Sequence, residues 1–379
     1  MATPENEENV VLYTFGVGCF HFQKMSEIPD EDIALYFRDL ENLLQQDYLI
    51  KEIKIEGHEN AENNRYFSEG NYSEDGDIGD LEYIYPGARS VVLNFKISIP
   101  HRLQKEYLGN YRELLKSENF DVNIQFNDDM PVAFVVPELN EENPSSAVAI
   151  LWKHMKKHLK DHNLIRFHML GPSPFHAEFV VKSTNSQTMS VSYEPQYGYS
   201  SIEINIPKHI EKPLIRKLVE YRLLDELSLY YRMIHKRNNI IREFVRITND
   251  IEISIENDRK RGKIARLFSR EFDIYDGLID LERLEADIQG IERFYKNEGG
   301  WIKQKFGEIA LQEKFKEEIE DIKENETNPY KNILSTMKDR YAVKSTAKST
   351  IYAAILGVIV GSILPSAGWL VSFLSKQHS

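Results

Sequence analysis

One cysteine, Cys19, is the whole thiol content of the 379 residues. An intrachain disulfide framework is excluded, and a reducing compartment is the natural setting. The opening stretch MATPENEENVVLY has no basic region leading into an apolar one, so no signal peptide is expected. Catalytic signatures are missing as well. There is no GxxxxGK[ST], no GxGxxG after a strand, no GxSxG and no HExxH. Cys19 sits in an apolar strand-like stretch, where an inert buried thiol is expected rather than a nucleophile. No enzyme activity, no catalytic residue and no cofactor is therefore assigned. Bases are outnumbered, 47 against 60 acids for a net charge of -13, which argues against nucleic acid as a partner and leaves only local basic patches.

What is present is ample material for a core, with 41% hydrophobic and 11% aromatic residues. Between Val10 and Pro207, short stretches rich in Val, Ile, Phe and Tyr predict strands: VVLYTFGVGCFHF, YLIKEIKIEG, RSVVLNFKISI, FDVNIQF, PVAFVVPE, LIRFHML, HAEFVVKS, MSVSYEP and SSIEINIPK. DEDIALYFRDLENLLQQ, RLQKEYLGNYRELLKS and SSAVAILWKHMKKHLKDH carry apolar residues at helical spacing. The last strands follow one another without helices, so a mixed sheet is expected. After Pro213 the chain becomes charged helix. Leu224, Leu227, Tyr231 and Ile234, continued by Ile241 and Phe244, form one seam, and Leu281, Leu284, Ile288, Ile291 and Tyr295 another. Breaks are expected at Gly262, at Gly299-Gly300 and around Pro329, and DIEISIE is the one β-like stretch. The resulting fold class is α+β: a disordered tail over 1–9, a mixed-sheet α/β domain over 10–207, a helical bundle or stalk over 208–348 and a transmembrane segment over 349–375.

That last segment contains Ile351–Leu374, which holds no charged side chain. As a helix it would reach about 36 Å, against about 30 Å of hydrocarbon in a bilayer. Lys331, Lys338, Arg340, Lys344 and Lys348 precede it and only Lys376 follows, so the N-terminal part is expected on the cytoplasmic side. Pro365 leaves a single kinked span or a re-entrant hairpin open. Ala353, Gly357 and Gly361 fall four apart, a small-residue stripe read as the packing face for a second copy.

Three clusters are candidates for ligand chemistry. His154, His158 and His162 are four apart on a predicted helix with Lys156, Lys157 and Lys160, and His168 and His176 follow. The helical wheel places Val148, Leu151, Trp152, Met155 and Leu159 inward and the histidines on a flank. Because ammonium groups disfavour a cation there, an anionic small molecule is the expected ligand and no metal is assigned. His176 and Glu178 are expected on one strand face. A second basic group is Arg259, Lys260, Arg261 and Lys263, continued by Arg266 and Arg270. Glu69, Glu74, Asp75, Asp77, Asp80 and Glu82 read as an exposed acidic loop without EF-hand spacing.

The order of parts, an α/β domain, then long charged helices, then a C-terminal membrane segment, resembles the CorA-type membrane ion transporters. The resemblance implies a funnel-shaped homo-oligomer gated by its cytosolic domain. It is one of architecture: the family's Gly-Met-Asn signature is absent, and no functional residue carries over. The expected function is a membrane-anchored, self-associating sensor or effector, with the bilayer and its own copies as partners and a CorA-like channel as its strongest form. The alternative is a tail-anchored scaffold without transport or catalysis.

Overall fold

In the computed structural model the alternating stretches pair into one nine-stranded sheet, because each has apolar side chains on both faces or on one and needs partners for its backbone. The structure describes residues 10–24, 33–57, 62–71, 79–87, 91–109, 114–127, 130–159, 165–169, 177–195, 200–260, 272–323, 329–336 and 338–339. The strands are β1 (Val10–Lys24), β2 (Ile50–Glu56), β3 (Glu62–Asn71), β4 (Gly79–Gly87), β5 (Val92–Ser98), β6 (Asn119–Asn127), β7 (Met130–Pro137), β8 (Ile165–Met169), β9 (Ala177–Thr184), β10 (Ser190–Glu194) and β11 (Ser200–Pro207). Nine of them form the main sheet in the order β10-β11-β9-β1-β7-β6-β5-β2, with β8 also on β1, and β3 and β4 pair with each other in a separate two-stranded sheet. β11 and β9 are parallel, Ser200 opposite Ala177 through Pro207 opposite Thr184, and the other pairs are antiparallel. The sheet is therefore mixed, as its consecutive strands predict.

The long strand β1 organises the interior. Its first half pairs with β9 and its last residues with β8, from Phe20 opposite Met169 to Lys24 opposite Ile165. One face receives α1 (Ile33–Gln45), α2 (His101–Leu108) and α3 (Ser145–Leu159), joining Phe20, Tyr36, Phe37, Phe95, Val148 and Met155 in one apolar core. Gly16 is what lets α3 come so close. A Cβ there would lie 2.6 Å from Val148 Cγ2 and 2.8 Å from the Pro144 carbonyl oxygen.

Among the described residues further helices follow, α4 (Lys212–Lys260), α5 (Phe272–Phe306) and α6 (Gln312–Lys323), and then a short helical segment over 329–336. Pro213 lies in the first turn of α4, where its missing N–H costs nothing. Glu220 and Arg216 of α4 reach Gln125 and Asp121 of β6. Lys305 bonds Asp225 at 2.5 Å and Arg232 bonds Glu298 at 3.2 Å, so α5 runs antiparallel to α4. The chain divides into two compact units that cut across these helices: 1–238 with 291–320, and 239–290 with 321–379. In the second unit Ile247, Ile251, Leu281, Leu284, Ile288 and Leu334 are buried.

Several expectations change. The helix expected over 102–117 ends at Leu108, because Gly109 turns to φ 76°, and Leu114–Ser117 are not helical. Gly299-Gly300 does not break α5, which runs to Phe306 and stops at Gly307, φ 84°. DIEISIE is part of α4. Ile241 is exposed and the seam passes instead through Ile240, Ile247 and Ile251, while Phe244 meets Tyr330 edge-on. Glu69 lies in β3 and Asp80 and Glu82 in β4, a paired hairpin rather than a loop; Glu74, Asp75 and Asp77 lie outside the described residues. No helix among the described residues is long and apolar enough to cross a membrane. The tail 1–9 and residues 340–379, with Ile351–Leu374 and its stripe Ala353, Gly357 and Gly361, lie outside the described residues.

Candidate functional site

Asp47 occupies the turn between α1 and β2. Its amide bonds back to Leu44, its carbonyl accepts from Ile50, and its Oδ1 accepts the Leu49 amide at 3.0 Å. Such a turn fixes the carboxylate and leaves the second oxygen free to aim elsewhere. That oxygen, Oδ2, lies 2.5 Å from His154 Nε2. His154, on α3, is 0% exposed, and its other nitrogen, Nδ1, is 3.0 Å from the Tyr107 hydroxyl on α2. The expectation that His154 stands on a solvated flank is corrected: α2 and the α1–β2 turn cover the part of α3 that the wheel left outside.

The chemistry of the partners orders the protons. A carboxylate only accepts, so Nε2 of His154 donates to Asp47, while Nδ1 and the Tyr107 hydroxyl share the second hydrogen bond. Burial alone would raise the Asp47 carboxyl, but the His154 hydrogen bond, the Leu49 amide and the nearby imidazoles outweigh it and hold the group below its ordinary value. Burial pushes the Tyr107 phenol up.

His158 lies one turn further along α3, its ring centroid 4.2 Å from that of His154. It is exposed. Partial burial and then the neighbouring His154 keep its imidazole below the usual value, favouring the neutral form. One ligand atom from each of Asp47, His154 and His158 falls within 4.8 Å of the others.

The lysines of this helix are engaged in other directions. Lys157 pairs with Glu106 at 2.8 Å, Lys156 lies 5.4 Å over the Trp152 ring, and Lys153 bonds the Tyr107 carbonyl. Lys160 and His162 lie outside the described residues, as do Arg261, Lys263 and His176. Arg259 and Lys260 end α4. Of the expected ligand-binding residues, His154 and His158 are thus brought together with Lys157 close by. His168 pairs with His21 across β8 and β1. Glu178 accepts from the Ser145 amide at 2.7 Å and from its hydroxyl, so it caps α3.

Asp47 and Tyr107 went unmarked in the sequence. Nothing local distinguishes an aspartate after a helix or a tyrosine on an amphipathic one. Comparison with protein-family models, with curated proteins and with solved structures finds no match to this chain.

Proposed function

We propose that the protein is a membrane-anchored, self-associating sensor or effector. The sheet-bearing unit receives a ligand or partner, the helices couple it, and Ile351–Leu374 inserts in the bilayer with the N-terminal part on the cytoplasmic side. The observation that carries this reading is the uncharged run Ile351–Leu374, preceded by five basic residues between 331 and 348, in a chain whose described part builds its own apolar cores.

Self-association has support in the second unit. Ile241, Val245 and Ile253 are exposed at four- and eight-residue spacing on α4, which puts them on one helix face, and Ile279 is exposed on α5. In the bilayer Ala353, Gly357 and Gly361 would pack copies together, and the strongest form of the proposal is a CorA-like channel.

Two measurements test it. The full chain should stay in the membrane pellet after an alkaline wash, and a chain ended at Thr350 should leave it. Full chain in liposomes should then leak ions when nucleotides, phosphates or divalent metals are screened against it. Release of the full chain by the wash overturns the anchor. Retention without leakage under any ligand favours the tail-anchored scaffold.

A further inference from the structure

We propose that Asp47, His154 and His158 form a binding site for a divalent transition metal, zinc being the best fit, with Tyr107 and the Leu49 amide holding the ligands in place. The donor set argues for the class of ion. Two imidazoles and one carboxylate suit zinc and its neighbours, whereas magnesium and calcium prefer oxygen alone. His154 and His158 are separated by one helical turn, and Asp47 comes from a different element, so the three approach from two sides. Their ligand atoms are already within 4.8 Å of one another.

The distances say how the site would load. Donors on a tetrahedral zinc with bonds of about 2.0–2.1 Å stand about 3.3 Å apart. Asp47 Oδ2 and His154 Nε2, at 2.5 Å, are held closer than that by a hydrogen bond. Metal entry replaces that proton and opens the pair by less than about 1 Å. His154 then binds through Nε2 as the neutral imidazole, with its proton on Nδ1 donated to the Tyr107 hydroxyl. His158 is exposed and free to rotate a nitrogen inward, and a water or an anion takes the fourth position.

Two further observations point to a ligand rather than to packing. Both buried ligands have the outer partners that metal ligands characteristically have: Asp47 Oδ1 accepts the Leu49 amide, and His154 Nδ1 meets Tyr107 at 3.0 Å. The ammonium groups that would repel a cation are also drawn off, Lys157 to Glu106, Lys153 to the Tyr107 carbonyl and Lys156 to the Trp152 ring. This inference is independent of membrane anchoring, because occupancy is read directly on the purified chain.

The test uses the untagged full chain in detergent, stripped with a chelator and titrated with Co(II), whose visible absorption reports tetrahedral coordination. One equivalent should bind saturably and be displaced by Zn(II). His158→Gln should weaken binding by at least about 10-fold, and Tyr107→Phe by about 10-fold through loss of the outer hydrogen bond. His158 makes no contact that the buried chain of hydrogen bonds needs, so the metal-free variant should melt at the parent temperature, which separates lost ligation from lost folding. Absence of a saturable one-to-one spectrum overturns the proposal and leaves a hydrogen-bonded structural triad only. Equal affinity in His158→Gln and parent overturns it too, by placing the metal on other histidines.

Discussion

In the sheet-bearing unit Glu226 is fully buried and accepts the amides of Ala310 at 3.0 Å and Leu311 at 2.8 Å together with the Arg222 guanidinium. Glu318, nearly as buried, accepts the Tyr230 hydroxyl at 2.8 Å and pairs with Arg237. In the helical unit the corresponding charges stand in solvent, Arg246 with Glu243, Asp250 and Asp280, while Ile241, Val245 and Ile253 are exposed beside them. The first unit spends buried charge on fixing where α4, the segment before α6, and α6 meet. The second has these apolar side chains at the surface of its described residues.

That contrast predicts very different costs for removing one ion-pair partner. Glu226→Ala strands a buried guanidinium and two amides and should cost about 3–5 kcal/mol. Arg246→Ala breaks only exposed pairs and should cost less than about 1 kcal/mol. Urea unfolding followed by Trp152 and Trp301, both in the sheet-bearing unit, reads the first, and far-ultraviolet dichroism reads the second. Similar costs for the two would abolish the distinction.

Glycines sharpen it at the next level down. A Cβ at Gly16 would meet Val148 and the Pro144 carbonyl well inside contact distance, so Gly16→Ala should destabilise by about 1–3 kcal/mol as α3 is pushed off β1. Gly290, inside α5, has nothing within 4 Å of the same added atom. There the helix gains propensity without a clash, and Gly290→Ala should stabilise by about 0.5–1 kcal/mol. Thermal unfolding of the two variants should move in opposite directions, and movement in the same direction would contradict the packing described for one of them.

The strands of the main sheet are legible because Val, Ile and Phe either recur at every second position, as in FDVNIQF, or run on without a break where both faces are buried, as in PVAFVVPE. The β3–β4 hairpin is not, because its acidic residues and glycines imitate a loop. Gly299-Gly300 looked like a stop, yet packing of Gly299 beneath Tyr295 and Ile309 carries the helix through. Local propensity loses there to tertiary contact. The site was half legible. Four-residue spacing marks His154 and His158 as neighbours, but Asp47 and Tyr107 lie 107 and 47 positions from His154, and only the packing of α1, α2 and α3 on one sheet face joins them. The wheel also assumed that whatever is not apolar faces water, which fails where a second helix covers the flank.

The smallest effect expected is a pH dependence, and it too belongs to the sheet-bearing unit. Glu220 is buried on α4, its Oε1 accepting Arg216 Nε at 2.8 Å and its Oε2 accepting Gln125 at 2.9 Å. Burial raises its carboxyl above the ordinary value of 4.5 despite these donors. Just above pH 4.5 the folded chain therefore holds more of this proton than the unfolded one. Stability from this group is then fully present below the unfolded value and is lost as pH rises through the folded one. Glu220→Gln removes the titration while keeping one acceptor for Arg216, and the Gln125 amide can turn over to meet the new donor. Because every other group titrates alike in both proteins, the difference in stability, parent minus variant, isolates Glu220. Urea unfolding of both at a series of pH values should show that difference largest at the acid end, below pH 4.5, and shrinking upward. A difference that grows with pH would mean that Arg216 and Gln125 win over desolvation, and that the charges buried under the sheet are held ionised rather than merely enclosed.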